Sequence, residues 1–180
     1  CPSWLSPPHP DAVNIILDPG LAFGSGSHPT TSLCLNWLDT NFKPNMELID
    51  FGCGSGVLAI ATALLGASKV YAVDNDPQAI TATVSNMLKN SISKEIIQTC
   101  MPESLPTIEA DCLIANILAE PLIELSEKFS QLIKPRGQIA LSGILKEQGN
   151  EIILNYKRWF EIEEPQEEDG WMLITGTRRA

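Results

Sequence analysis

The stretch Asp50–Gly56 (DFGCGSG) has the residue types and spacing of a turn that binds a cofactor. It follows the run 46–49 and precedes the apolar run 57–61, so it predicts a strand, a glycine turn and a helix in that order. Glycine tolerates the positive φ of a tight turn and lets a ligand lie against the backbone. The helix that follows offers unpaired N–H groups and the positive end of its dipole. The expected chemistry is therefore the binding of a nucleoside or nucleotide.

The spacing of the glycines separates two kinds of cofactor. A dinucleotide fingerprint, Gly-x-Gly-x-x-Gly, would need glycine at position 57, where the chain has Val57, and the third glycine comes one residue early at Gly56. This tighter spacing favours a nucleoside cofactor without a pyrophosphate. A dinucleotide and a merely structural tight turn are the alternatives that the spacing leaves open.

Short apolar runs that alternate with amphipathic segments predict the elements that hold this turn. Strands are predicted over 47–51, 69–74, 95–100, 110–115, 137–142, 159–163 and 171–176, and helices over 29–40, 56–65, 77–90, 120–133 and 146–157. This order is typical of a doubly wound, mostly parallel α/β sheet covered on both faces. Only the polar link 164–170 separates the last two strands, which predicts an antiparallel C-terminal hairpin.

Two carboxylates follow the second predicted strand, and one of them is a candidate ribose ligand. A doubly wound sheet binds its ligand outside the carboxyl ends of its strands, and an acid about 20 residues past the glycine turn can accept hydrogen bonds from ribose hydroxyls. Asp76 precedes Pro77, which predicts that Asp76 caps the next helix. Asp74 has no such structural role in the pattern, so we assign the ribose to Asp74.

Asp50 and Asn116 end the first and fourth predicted strands at the same edge. The Asp50 carboxylate could hold an ammonium group of the ligand or could bond backbone N–H groups of the turn, and both interpretations stay open. Asn116 carries an amide donor and an acceptor that could fix an adenine ring, the tail of a cofactor or a target amine. The alternative is that Asn116 only satisfies the turn before the next helix.

Neither of the two histidines, His9 and His28, is predicted to be a catalytic base. His9 lies in a proline-rich segment, and Ser27 or His28 is predicted to cap a helix that begins at Pro29. The sequence also lacks paired catalytic carboxylates and a metal-ligand cluster. Chemistry that needs neither a base nor a metal is favoured, and methyl transfer from a sulfonium to a neutral amine is such a chemistry.

Composition argues against several other classes of function. The 180 residues include 22 acidic and 12 basic residues, a net charge of −10, with no basic cluster along the sequence, so nucleic-acid binding is not expected. No apolar run approaches the roughly 18 residues of a membrane span. Five widely spaced cysteines without a Cys-x-x-Cys pair predict reduced thiols and a cytoplasmic location. Four prolines within 1–11 predict a linker remnant there, followed by one domain over 12–180.

Four segments together carry a resemblance to a known family. They are 17–31 (LDPGLAFGSGSHPTT), 50–56, 116–119 (NILA) and 142–145 (SGIL). The glycine turn with a second acid at Asp74 resembles class I S-adenosylmethionine-dependent methyltransferases. The four segments, along essentially the whole chain, resemble the bacterial family that methylates large-subunit ribosomal protein eleven.

The resemblance implies a fold, a reaction and a set of contacts. It implies a seven-stranded, Rossmann-like methyltransferase sheet, S-adenosyl-L-methionine as cofactor, and multiple methylation of lysine side-chain and N-terminal amines of the ribosomal protein. Cofactor contacts are implied at Thr31, Gly52, Asp74 and Asn116. The glycine turn adds Asp50, Gly54 and Gly56 to this predicted site, and Asn116 is also the predicted catalytic residue.

The family has a separate N-terminal domain that recognises the ribosomal protein, and we expect that domain to be absent from this chain. The loop 17–31 is expected to close over the cofactor. One departure concerns Asn116, which Ile117 and Leu118 follow, whereas many amine and amide methyltransferases have Asn-Pro-Pro. The alternatives are a methyltransferase of a small-molecule amine, a nucleotide-dependent oxidoreductase, and a cofactor-binding module without activity.

Overall fold

A computed structural model of the chain describes residues 1–2, 5–6, 9, 12–17 and 28–180. The loop 18–27, including the alternative helix cap Ser27, lies outside the described residues. The prediction that loop 17–31 closes over a cofactor therefore stays a prediction.

The described residues form six α-helices, a short 3-10 turn at Lys146–Gln148 and eight strands. The helices are α1 (Pro29–Asn41), α2 (Val57–Leu64), α3 (Pro77–Lys89), α4 (Ala119–Glu124), α5 (Ser126–Gln131) and α6 (Gly149–Tyr156). The strands are β1 (Glu47–Phe51), β2 (Lys69–Val73), β3 (Ile97–Cys100), β4 (Ala110–Asn116), β5 (Ile133–Leu145), β6 (Phe160–Ile162), β7 (Gln166–Glu168) and β8 (Trp171–Arg178). Each predicted element is present, although the helix predicted over 120–133 is divided at Leu125 into α4 and α5.

The strands form one sheet in the order β3-β2-β1-β4-β5-β8-β6, with β7 also paired to β8. Strands β1 to β5 pair in parallel, and β8 is antiparallel to both β5 and β6. This confirms the predicted doubly wound, mostly parallel sheet with an antiparallel C-terminal end. The chain leaves β1 toward β2 and later returns to β4 on its other side, so the crevice for a ligand lies between the ends of β1 and β4.

The C-terminal hairpin differs from the prediction in its link. Residues 166–168 of the predicted polar link form β7, which pairs with the same strand as β6. Ile162 pairs with Gly176 and Gln166 pairs with Leu173, so three residues face two, as in a β-bulge. Pro165 lies in this interruption and has no N–H for the ladder. Counted as one interrupted edge strand, β6 and β7 complete the seven predicted strands.

The sheet separates two apolar cores because side chains along a strand alternate between its faces. On β1, Leu48 belongs to the core beneath α1, α2 and α3, whereas Ile49 belongs to the core beneath α4, α5 and α6. Asp50 therefore points to the same face as Leu48. Within the described residues, no helix combines the length and hydropathy needed to cross a bilayer.

Candidate cofactor and active site

The glycine turn after β1 has a backbone that only glycine adopts readily. Gly52, Gly54 and Gly56 have φ values of +85°, +53° and +81°, in the left-handed region that is costly for residues with a Cβ. The Gly52 N–H donates to the Val73 carbonyl at 2.7 Å, which fixes the turn to β2. A Cβ on Gly52 would also clash with the Ile117 side chain from the loop after β4. The turn is thus held between the ends of three strands.

Asp74 lies against this turn and has a structural role that the sequence did not predict. Its Oδ2 accepts from the Gly54 N–H at 2.9 Å, and its Oδ1 accepts from the Asp76 N–H at 3.0 Å. The expectation that Asp74 lacks backbone partners was therefore wrong. Each carboxylate oxygen can accept more than one hydrogen bond, so the ribose assignment stays a prediction. The predicted cap is confirmed: Asp76 Oδ1 accepts from the Gln78 N–H at 2.8 Å.

Asp50 is a buried carboxylate with one satisfied and one unsatisfied oxygen. Its residue is 1% exposed, and Oδ2 accepts from the Ala59 N–H in the first turn of α2 at 3.0 Å. Oδ1 has no hydrogen-bond partner among the described residues. Burial raises the pKa of Asp50 to about 7, the Ala59 hydrogen bond opposes the rise, and the nearby Asp74 adds to it. Oδ2 thus bonds a backbone N–H, in agreement with the second interpretation, while the interpretation that Asp50 holds an ammonium group stays a prediction.

Thr31 and Asn116, which are 85 residues apart, lie together at the end of β4. The Asn116 Nδ2 donates to Thr31 Oγ1 at 3.5 Å. Thr31 is in the first turn of α1 and is only 2% exposed, whereas Asn116 is half-buried at the end of its strand. Helix α1 thus brings a hydroxyl to the crevice that the glycine turn borders.

His28 caps α1, as predicted. Its Nδ1 accepts from the Thr30 N–H at 3.3 Å. The same nitrogen lies 2.8 Å from Thr30 Oγ1, so both of its contacts are with the first turn of α1. The prediction that His28 is not the base of the reaction stays a prediction.

Trp171 is a part of this region that the sequence analysis did not single out, and Ile117 has a packing role that it did not predict. The Trp171 ring meets the His28 ring edge-on, with centroids 4.9 Å apart and planes at 70°. Ile117 separates the glycine turn from Gly143 of β5. A Cβ added at Gly143 would clash with the Ile117 carbonyl. The one feature of the sequence that could have indicated a role for Trp171 is its position, a tryptophan at the first residue of a strand that follows a turn.

Comparisons with known proteins agree on one family. The sequence pattern of the family described as ribosomal protein L11 methyltransferase (PrmA) matches residues 1–179. A ribosomal protein L11 methyltransferase of Pseudomonas fluorescens strain Pf0-1 is 51% identical over 178 residues, 99% of this chain and 61% of that protein. One of Shewanella piezotolerans is 52% identical over 180 residues, with the same coverage.

A solved structure extends this similarity to the fold. The ribosomal protein L11 methylase of Lactobacillus delbrueckii subsp. bulgaricus superposes with a TM-score of 0.88 at 32% identity, covering 98% of this chain and 91% of that one. This chain spans about three fifths, 61%, of the length of the curated relatives named above.

Proposed function

The chain belongs to the ribosomal protein L11 methyltransferase family, and we propose that it transfers methyl groups from S-adenosyl-L-methionine to amines of that ribosomal protein. The amines are lysine side chains and the N-terminus. One observation supports the proposal: the glycine turn, Asp50, Asp74 and the Thr31–Asn116 pair lie at the carboxyl ends of β1, β2 and β4, at the switch point of the sheet. S-adenosylmethionine, when bound there, would supply an electrophilic methyl group to the amine.

The described residues offer a partner for each polar part of such a cofactor. Asp74 accepts from the ribose hydroxyls, since its Oδ2 already bonds the glycine turn and both of its oxygens keep free lone pairs. Asp50 Oδ1 accepts from the ammonium group of the amino-acid tail. The buried and otherwise unpartnered state of this oxygen supports the assignment, because a buried acceptor without a donor is costly.

Asn116 positions the target amine beside the cofactor. Its Nδ2 is held by Thr31 Oγ1, which leaves the amide oxygen to accept from an amine N–H. A neutral amine has both the lone pair and the N–H for this arrangement, whereas an ammonium group has no lone pair to react. Because Nδ1 of His28 is engaged as a helix cap, we assign no base to the protein. The amine reacts in its neutral form, and the proton that it loses after methyl transfer leaves to water.

Recognition of the whole ribosomal protein is assigned to sequence outside this chain. The match to three fifths of the length of its relatives supports a two-part organisation, in which residues 12–180 form the methyl-transferring domain and 1–11 form a linker. A methyltransferase of a small-molecule amine remains the second candidate, since it would share the same cofactor crevice.

Titration calorimetry with S-adenosylmethionine, followed by mass spectrometry of the ribosomal protein after incubation, tests the proposal. Asp74→Ala should weaken cofactor binding about 10- to 100-fold, because it removes hydrogen bonds to a charged acceptor. Asn116→Ala should lower the rate of methyl transfer more than the affinity for the cofactor. Asp76→Ala is the matched control, because the Asp76 carboxylate is engaged as the cap of α3, and it should leave cofactor affinity unchanged.

Two results would count against parts of the proposal. Equal loss of affinity in Asp74→Ala and Asp76→Ala would assign the effect to stability of the turn and remove the ribose assignment. Methylation of small amines at a rate above that of the ribosomal protein would favour the second candidate. Unfolding of each variant in urea, measured in parallel, separates lost contacts from lost structure.

A further inference from the structure

The basic residues of this acidic chain gather at the edge of the sheet opposite the cofactor crevice. We name as the basic edge the seven residues Lys43, Lys134, Arg136, Lys157, Arg158, Arg178 and Arg179. They lie just before β1, at the start of β5, just before β6 and at the end of the antiparallel β8. Seven of the 12 lysines and arginines in the chain therefore share the edge where the parallel strands begin.

Neighbouring carboxylates neutralise only part of the basic edge. Its ion pairs are Lys134 with Asp111 at 2.8 Å and Glu47 at 3.9 Å, Arg178 with Glu109 at 3.2 Å, and Arg179 with Glu161 at 3.4 Å. The remaining members, Lys43, Arg136, Lys157 and Arg158, form no ion pair with any residue that the structure describes. The basic edge thus presents four uncompensated cations.

A depression of about 490 Å³ opens within the basic edge. Lys43, Lys134 and Arg136 line it together with Thr40 and Thr177. Among the described residues of its lining, Asp111 is the one carboxylate, and that carboxylate already accepts from the Glu47 N–H and from Lys134 Nζ, both at 2.8 Å. The depression therefore offers the donors and the positive charge of two lysines and an arginine, which suit a phosphate group.

An aromatic side chain lies at the far end of the same edge. The Arg158 guanidinium is 4.7 Å from the centroid of the half-exposed Trp159 ring, and the Trp159 carbonyl accepts from the Arg179 N–H at 2.9 Å. From β1 to β6 the edge crosses four strand-to-strand spacings, or roughly 20 Å. This length exceeds one phosphate group and accommodates several consecutive nucleotides. Surfaces that bind single-stranded nucleic acid combine a positive track with aromatic stacking platforms.

We propose that the basic edge binds the phosphate backbone of single-stranded RNA. The depression at Lys43, Lys134 and Arg136 holds one phosphate, and Trp159 with Arg158 stacks on a base at the other end. The sequence predicted no nucleic-acid binding because its cations come from four separate segments, and only the sheet brings them together. This binding is independent of methyl transfer, since it uses the opposite edge of the molecule.

Fluorescence anisotropy of a fluorescein-labelled oligouridylate, titrated with the 180-residue chain, tests the proposal. The expected dissociation constant is about micromolar at low salt. Four phosphate contacts should give a slope of about −3 in the logarithm of affinity against the logarithm of salt concentration. The double variant Lys43→Gln, Arg136→Gln should weaken binding about tenfold and make the slope shallower by about 1.4. Trp159→Leu should weaken binding with little change in slope.

Lys146→Gln is the control, because Lys146 is an exposed lysine at the other edge of the sheet that pairs with Glu167. It should leave the anisotropy titration unchanged. Absence of binding, or equal weakening by Lys146→Gln and by the double variant, would overturn the proposal. Displacement of the probe by inorganic phosphate as effectively as by unlabelled oligouridylate, at matched ionic strength, would also overturn it. That result would identify a site for a single anion.

Discussion

At the scale of single residues, the ionised carboxylate of Asp50 destabilises the ligand-free protein. A carboxylate with one unsatisfied oxygen in a buried position is disfavoured in its ionised form. Among the described residues, the titratable groups that interact with it are Cys34 of α1, Cys53 of the glycine turn and Asp74, which follows β2. None of them is a cation, so the Ala59 N–H offsets only part of the cost of the ionised form until a cationic ligand binds.

This cost predicts a pH-dependent stability of the ligand-free protein. Because burial raises the pKa of Asp50 to about 7, the folded chain holds this proton more tightly than the unfolded chain does. The contribution of Asp50 to stability is therefore fully present below its unfolded pKa near 4 and is lost as pH rises toward 7. Asp50→Asn removes the titration, so the variant does not lose this stability as pH rises. The free energy of unfolding of Asp50→Asn minus that of wild type should therefore increase by about 3 kcal/mol between about pH 5 and about pH 8.

Urea unfolding of both proteins across this pH range measures the effect. Asp39→Asn is the matched control, since Asp39 is exposed on α1, and it should show no pH-dependent difference from wild type. A constant difference between Asp50→Asn and wild type at every pH would show that Asp50 does not titrate in this range.

Residue roles that depend on local sequence could be predicted, and roles that depend on distant contacts could not. Asp76 and His28 were identified as helix caps because proline follows each of them at the first helical position. The hydrogen bond from the Gly54 N–H to Asp74 Oδ2 requires the folded arrangement of β1 beside β2, and no pattern of neighbours encodes it. The same is true of the Thr31 hydroxyl beside Asn116.

At the scale of elements, Gly143 packs β5 against the loop that begins after Asn116. The register of β5 against β8 shifts between Leu141 and Ile144, so Gly143 lies in a β-bulge, and its φ of +82° is one that glycine adopts readily. Its backbone approaches the Ile117 backbone closely, which fixes the residue after Asn116.

Gly143→Ala should destabilise the protein by about 3 kcal/mol, from the positive φ and the clash with the Ile117 carbonyl. It should also weaken cofactor binding, because the loop after β4 must move. Gly170→Ala is the matched control, with a φ of +80° but no atom within 4 Å of its added Cβ, and should cost about 1 kcal/mol. Thermal unfolding and calorimetry of both variants make the comparison. Equal losses of stability would show that backbone conformation alone accounts for the effect.

The elements were predictable where hydrophobic periodicity is strong and less so where tertiary pairing decides. Strand β1 begins and ends at the predicted residues. Strand β5 extends well beyond 137–142, because pairing with both β4 and β8 recruits residues on each side. Strand β7 was missed because three polar residues (QEE) have no strand pattern, and their pairing with β8 alone makes them a strand.

At the scale of the whole molecule, charge is divided between the two edges of the sheet. The edge with the cofactor crevice carries Asp74 and Asp76 after β2, Glu168 at the end of β7 and Asp169 in the turn before β8. Lys146, which follows β5, pairs there with Glu167 at 2.7 Å. The net charge of −10 therefore underestimates the negative field at the crevice, because many of the cations are at the basic edge. A negative field at the reaction site attracts the lysine-bearing partner of the proposed function.

This division predicts that association with the ribosomal protein depends on charge at one edge. The double variant Glu168→Gln, Asp169→Asn should raise KM for the ribosomal protein about threefold at low salt, with kcat unchanged, because rim charges act mainly on association. Asparagine suits position 169, where φ is +50°. Initial rates by mass spectrometry at about 50 and about 300 mM salt test this, and the difference between variant and wild type should shrink at the higher salt. The double variant Asp39→Asn, Glu95→Gln is the control, because it removes the same charge from exposed positions away from the crevice. An equal rise in KM in that variant would show that the net charge of the chain, and not the local field at the crevice, attracts the ribosomal protein.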